Sequence, residues 1–383
     1  GTVDWQTGSI KTATFTAANG EGYFANTSGG AFTMNLPAGT AGNIVSVVDY
    51  TNTFQTNNLT VSPNGSQKIG GVAEDAFLTN EGQSVTFVYV DDTEGWKNVQ
   101  DSTSNVVGNQ FIIATGGTIT TSGNCKIHTF TGPGTFCVSR VHPCAANNLV
   151  SYVVAGGGAG GGWDVGGGGG AGGYRETKSP VTPYIASPLN GYGTPTNRIT
   201  VTATAFPITV GAGGAGSPAP NTDGVSGGVS TFSTITSAGG GGGGGHPVRN
   251  GVPGGSGGGG AGYVGSTTGG SGNTPSVTPP QGQNGGSASS PGVGQTGGGG
   301  GGAGGVGSNS VCGSTSFAPG GPGVLTEITS APVTYSAGGR GGGDGAPSPA
   351  PGGANTANGG DGAGGPPPSG GGSGIVIIRY KFQ

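Results

Sequence analysis

Residues 159–174 read AGGGWDVGGGGGAGGY, a stretch with almost no side chains to bury. Glycine loses more backbone freedom on ordering than any other residue, about 1–2 kcal/mol each, so such a run is by default a flexible spacer. The surrounding chain argues for something else. Only 19 of the 95 glycines lie in residues 1–150, which leaves glycine at about one position in three of the remainder. Collagen places glycine strictly at every third position, whereas tracts 239–245 and 297–302 are uninterrupted.

Several β-branched runs hand over to glycine. VSYVV (150–154) leads directly into the first. VSTFSTITSAGGGGGGG (229–245) and VLTEITSAPVTYSAGGRGGG (324–343) share one plan: two short strand-like runs, Ser-Ala, then glycine. NRITVTATAFPITVGAGGAG (197–216) repeats it loosely. The pattern describes a chain that folds back and forth many times. An extended glycine segment of polyproline II shape has three residues per turn and no internal hydrogen bonds, so its N–H and C=O groups point outward. Side by side, such segments can bond to one another in all directions, which is a polyglycine II lattice. At about 1 kcal/mol net per bond, the lattice offsets backbone entropy only where most tracts are interior. Trp163 and Asp164 are then expected at a turn or on an outer face.

Upstream, residues 1–100 read as a small all-β domain. Runs such as GYFANTS, NIVSVVDY and QSVTFVYV are separated by Gly, Asn, Pro and Asp at intervals that suit a small sandwich or a β-meander. In VTFVYV, Val85, Phe87 and Tyr89 alternate with Thr86, Val88 and Val90, so both faces are apolar and the strand is central or buried between subunits. Residues 101–109 read as a linker. Residues 110–154 read as a β-hairpin region with its turn at 132–134, and residues 155–383 as the glycine-rich domain, closed by GIVIIRYKF.

Composition excludes several functions. Twelve Lys and Arg against sixteen Asp and Glu, with no basic run, leave no electrostatic footprint for nucleic acid. No apolar segment approaches the roughly 20 residues of a membrane-spanning helix. The chain starts at Gly1, so a signal peptide or a larger N-terminal portion is expected to lie outside this numbering. Cys125, Cys137, Cys144 and Cys312 suit an extracellular protein with one or two disulfides, Cys125 with Cys137 or Cys144 forming a local staple; four ordinary thiols are the alternative. The same region spells C-x2-H-x8-C-x4-H-x-C through His128 and His142, an atypical zinc spacing that alternate strand positions also explain. The P-loop lysine is missing, and DDTEG (91–95) suits a hairpin turn better than a calcium loop. Nothing places two of Glu74, Asp75, Glu81 and Glu94 across a cleft. Asn26, Asn58 and Asn64 stand in N-x-Ser/Thr sequons. A non-enzymatic protein without cofactor or metal is expected.

IKTATFTAANGEGYFANTSGGAFTMNLP, VVDYTNTFQTNNLTVSPNGSQKIGG and VTFVYVDDTEGWKNV resemble the β domain of tail-fibre and other virion structural proteins of marine phages, cyanophages especially. GNCKIHTFTGPGTFCV, SYVVAGGGAGGGW and GGSGIVIIRY are similar to the glycine-rich domain that often follows it. Together they cover nearly the whole chain. The glycine tracts are also similar to those of the tip adhesins of T-even-like phages, which pack as polyglycine II helices and present variable loops to the host surface. The resemblance implies a virion-borne, extracellular fibre or adhesin whose partner is a host cell-surface glycan or protein, and a homo-oligomer, trimeric by preference. A self-associating extracellular filament or matrix without a receptor is the alternative. The loops of that family have no fixed motif, so no binding residue carries over, and the cysteines depart from its pattern. From their chemistry alone, Trp163, Tyr174, Tyr192, Tyr263 and Phe317 are candidate contacts, because rings stack on sugars at little entropic expense; the plainer reading is that they cap the lattice. Arg249, Arg340 and Asp344, charges in glycine surroundings, are weaker candidates.

Overall fold

A computed structural model describes residues 2–101, 111–263, 265–290, 295–311, 317–343, 346–365 and 367–383. The fold is all-β and divides into two compact units, Gly1–Gln110 and Phe111–Gln383. The 101–109 linker falls almost wholly outside the described residues, as do Cys312 and Asp344.

The N-terminal unit contains β1 (Asp4–Trp5), β2 (Phe15–Thr16), β3 (Glu21–Ala25), β4 (Phe32–Asn35) and β5 (Ile44–Asp49). After these come β6 (Leu59–Ser62), β7 (Ala76–Leu78), β8 (Ser84–Asp91) and β9 (Gly95–Asp101). One sheet has the order β1-β3-β5-β8-β9 and the other β2-β4-β6-β7. From β2 to β6 the chain alternates between the sheets, so neighbours within each sheet run parallel, and only the last strands pair antiparallel. The result is a sandwich with arched crossings in place of a meander: Gly, Asn and Pro mark the turns but not which sheet the next strand joins. Alternation along each strand supplies a shared core from both sheets, including Tyr23, Met34, Val47, Leu59, Val61, Phe87 and Trp96. β8 is central, between β5 and β9. DDTEG is a hairpin turn: Asp91 Oδ1 accepts the Thr93 and Glu94 N–H groups, and Gly95 has φ 69°.

The C-terminal unit begins with β10 (Ile113–Thr115), β11 (Thr118–Ser122), β12 (Cys125–Phe130), β13 (Gly134–Arg140) and β14 (Leu149–Ala155). The short strands β15 (Tyr174–Thr177), β16 (Ile199–Thr200), β17 (Ala205–Thr209), β18 (Ser230–Phe232) and β19 (Ile235–Ser237) follow. The rest are β20 (Gly265–Thr267), β21 (Ala288–Ser290), β22 (Val324–Thr326), β23 (Val333–Tyr335) and β24 (Ile375–Lys381). The C-terminal β24 inserts between β12 and β14 in the order β11-β12-β24-β14-β15. Its unbroken run IVII fits burial on both faces. Val376, Ile378 and Tyr380 pack with Phe136, Phe232 and Ile235 of the sheet β10-β13-β17-β18-β19, while Ile375 and Ile377 pack with Val324, Ile328 and Tyr335 on the other side.

Residues 110–154 therefore do not form a separate hairpin. β12 and β13, expected to pair around 132–134, belong to different sheets, because Phe130 and Phe136 both point into the core between them. The tight hairpin is β11–β12, closed by Gly123 (φ 52°) and Asn124. The repeat is realised at two of its three sites: β18–β19 and β22–β23 are hairpins that hand over to glycine, whereas β16 pairs with β14 and β17 with β13 and β18.

The glycine tracts are bonded in a threefold rhythm. Gly156, Ala159 and Gly162 donate their N–H groups to Gly173, Gly170 and Gly167; Gly157 and Gly160 donate to Gly228 and Val225; Gly158 and Gly161 donate to Gly372 and Ser369. Their carbonyls accept in the same rhythm, from Gly240 and Gly243, from Gly214 and Ser217, and from Gly360 and Ala363. All these bonds span 2.8–3.2 Å. Residues 156–162 thus lie buried among six neighbouring segments, with every backbone N–H of the tract and the carbonyls of residues 157–162 engaged. Contact is so close that a β-carbon on Gly160 would sit 1.9 Å from the Ala215 carbonyl oxygen, and one on Gly161 2.1 Å from that of Asp361.

Candidate binding surface

The bonding register sorts the turns between tracts into two ends. At one end stand β14, β15, β24 and the β18–β19 and β22–β23 hairpins. Tract 156–162 leaves β14, and 166–173 returns antiparallel to it into β15. At the opposite end the chain reverses through residues 163–165, where Asp164 (φ 39°) and Val165 (φ 47°) adopt left-handed backbone. The His246 N–H donates to the Trp163 carbonyl at 2.9 Å and the Gly262 N–H to the Val165 carbonyl at 3.0 Å, so the reversals after 245 and 262 lie beside the first. The bonds Ser217 to Gly161, Gly342 to Gly166 and Ala363 to Gly162 bring the tract ends at 217, 342 and 363 to the same end.

Five of the candidate side chains gather on or beside these reversals. Trp163 is half-buried in the first. Tyr263 is 37% exposed, its ring 4.1 Å by centroid from that of His246. Arg249 pairs with Asp223, Nη2 to Oδ2 at 2.7 Å, which raises its pKa further and holds the guanidinium across two turns. Arg340 donates from Nε to Asp361 Oδ2 at 2.9 Å and carries the ring of Phe317, also 37% exposed, 4.9 Å from its guanidinium. Asp361, buried, also accepts the N–H groups of Arg340 and Ala350 at 2.8 and 2.9 Å, so this charge pair fastens three segments. His246, Asp223 and Asp361 are the partners that sequence reading did not connect to these residues, although Asp223, three residues after SPAP (217–220), and His246, before Pro247, stand next to turn-forming residues.

The other candidates lie elsewhere. Tyr174 is not a surface contact: it begins β15, is 1% exposed, and donates from Oη to Glu176 Oε2 at 2.9 Å. Burial and the neighbouring carboxylate push its pKa well above the ordinary tyrosine value. Glu176 is also buried and accepts Thr326 Oγ1–H at 2.7 Å and the Ser187 N–H at 2.9 Å, joining β15 to β22. Tyr192 sits half-buried in a short 3-10 turn, Gly191–Gly193, under the Arg198 guanidinium at 4.4 Å. The local disulfide staple is not formed: Cys125, Cys137 and Cys144 are free thiols, Cys125 buried in one sheet and Cys137 exposed on another.

Among the described residues no three His, Cys, Asp or Glu side chains gather into a group that could hold a metal ion. His128 is part of the core. Its Nδ1–H donates to the Gly116 carbonyl at 2.7 Å, and its Nε2 accepts the Tyr380 hydroxyl at 3.0 Å, the arrangement of a neutral ring. Burial accordingly lowers its pKa. Among the described residues no helix is long and apolar enough to cross a membrane.

A family profile described as a glycine-rich domain matches residues 129–381, from within β12 to the end of β24. The chain belongs to the glycine-rich domain family. The match takes in β24, the whole of β14 on one side of it and the last two residues of β12 on the other, so the glycine-rich domain includes strands of the central sheet as well as its tracts. No curated protein matches the chain.

Proposed function

We propose that the C-terminal unit is a rigid polyglycine II-type lattice and that the protein is a non-enzymatic phage tail-fibre or adhesin component, extracellular on the virion and homo-oligomeric, trimeric by preference. Its turn-bearing end attaches to a host cell-surface glycan or protein. The threefold bonding rhythm and the six neighbours of tract 156–162 support the lattice. One observation carries the attachment reading: Trp163, Tyr263, Phe317, Arg249 and Arg340 stand on or beside reversals of a glycine-packed body, at the end away from β14, β15 and β24. A lattice bonded on so many sides holds those turns still, and rigid aromatic side chains then bind with little loss of entropy.

The test is binding of the purified chain to host envelope fractions. The double variant Trp163→Ala/Tyr263→Ala is expected to lose about tenfold or more in affinity, as for a central aromatic anchor, while Tyr192→Ala, an aromatic outside these reversals, binds as the parent does. Unchanged binding by the double variant would overturn the attachment reading.

A second reading, a self-associating filament, has one observation in its favour. On the N-terminal unit Trp5 (41% exposed), Phe24 and Tyr50 (54%) form an aromatic row, with ring centroids 5.2 and 6.2 Å apart, and Val99 is exposed nearby on the same sheet. Sedimentation separates the two: a closed trimer supports the fibre, and open-ended growth with concentration supports the filament.

A further inference from the structure

The chain contains six Asn-Gly dipeptides, at 19–20, 64–65, 190–191, 250–251, 284–285 and 358–359. This dipeptide is the chemically labile one, since glycine has no side chain to hinder attack by its own amide nitrogen on the preceding Asn side chain. The attack requires an amide free to rotate and a glycine N–H free to lose its proton.

Five of the pairs are clamped. Asn19 Oδ1 accepts the Ile44 N–H at 2.9 Å and the Gly20 N–H donates to the Ile44 carbonyl. Asn250 and Gly251 hold Thr268 in the same two-point way, and Asn358 and Gly359 hold Ala337. Asn284 Oδ1 accepts from Gly272 while Gly285 donates to Gly270. Asn190 Oδ1 accepts two backbone N–H groups, those of Lys178 and Tyr192. The pair at 64–65 differs from all of these. Asn64, Gly65 and Ser66 are exposed, neither the Asn64 side chain nor the Gly65 N–H has a hydrogen-bond partner among the described residues, and a β-carbon on Gly65 would meet nothing within 4 Å. Gly65 takes φ 55° at the tip of the β6–β7 connection, and the Asn64 carbonyl alone is tied, to the Gln67 N–H at 3.0 Å.

We infer that Asn64 is a site of spontaneous covalent modification, the position in this chain at which deamidation to aspartate and isoaspartate is concentrated. The Gly65 nitrogen gives its proton to solvent base and attacks Asn64 Cγ. A C–N bond forms, the Cγ–Nδ2 bond breaks, and ammonia leaves after taking up a proton. Water then adds to either carbonyl of the resulting succinimide and opens it. The net reaction is amide plus water to carboxylate plus ammonium, with nothing oxidised or reduced. The product carries one negative charge more than the formal −4 of the chain. In the isoaspartate form one extra methylene enters the backbone next to Gln67, whose side-chain amide brackets both backbone groups of Gly39 at 2.9 and 3.1 Å.

The experiment is incubation of the folded full-length chain at mildly alkaline pH, followed by protease digestion and mass spectrometry of the six Asn-Gly peptides. Asn64 is expected to convert at least about tenfold faster than any of the other five, the factor that 1.4 kcal/mol of clamping represents. The same chain incubated in denaturant is expected to lose that preference, with the six rates drawing together. Conversion at Asn64 no faster than at Asn19, Asn190, Asn250, Asn284 or Asn358 in the folded chain would overturn the proposal. So would a preference for Asn64 that persists undiminished in denaturant, since the cause would then be local sequence and not the fold.

Discussion

The two units satisfy the same backbone by opposite means. In the N-terminal unit, strands present alternate side chains to a core shared by two sheets, and removing a side chain opens a hole. In the glycine tracts the backbones themselves are the core, and adding a side chain is what does damage. The comparison teaches that burial needs no hydrophobic side chains where every N–H and C=O finds a partner in a neighbouring segment.

That contrast breaks most visibly at Gly161. A valine there must displace the Asp361 carbonyl and part residues 156–162 from their neighbours, so Gly161→Val is expected to destabilise the C-terminal unit by more than about 4 kcal/mol; hydrogen exchange of the tract amides measures it, and native protection would refute the close-packed account. The mirror experiment is Phe87→Ala in the N-terminal unit, expected to cost about 3–4 kcal/mol by leaving a cavity between its sheets, read from the denaturation midpoint. Next in size is Asp361→Ala, which strands the Arg340 guanidinium and two backbone donors for about 2 kcal/mol; a thermal midpoint within error of the parent would show that the turns are held by glycine bonding alone.

The smallest effect is one of pH. His128 is buried neutral, with its pKa lowered by burial. The unfolded chain takes up this proton at pH about 6.5, while the folded chain resists it to lower pH. Below that value the unfolded state binds more protons, so stability of the C-terminal unit falls as pH drops and is flat with respect to this group above it. His128→Gln is expected to flatten the slope of melting temperature against pH between that value and the lowered native pKa; an unchanged slope would assign it to other groups.

Much of this was legible beforehand. The apolar run VTFVYV marked β8 as a central strand, and the structure places it between β5 and β9, because side-chain pattern reports burial directly. The hand-over from strand to glycine at 237–239 and 336–338 was readable for the same reason. Partner choice was not. Nothing local distinguishes β12–β13, which part into two sheets, from β11–β12, which pair, since the decision rests on the aromatic core that Phe130 and Phe136 enter from two sides. Tyr174 was misjudged because the residues before it are glycine, whereas its burial comes from Tyr335 and, through Glu176, from Thr326 of β22, both remote in the chain.

By itself, the amino-acid sequence determined the all-β class, the split between a side-chain-rich and a glycine-rich part, and the places where strand gives way to tract, since all three follow from local residue type. Only the tertiary structure decided which segments surround residues 156–162, which turns meet at the end away from β14, β15 and β24, and which of six Asn-Gly pairs is left unclamped. Glycine has no side chain with which to encode a neighbour, so the register of a glycine tract is set by where the whole chain brings it and not by what it contains.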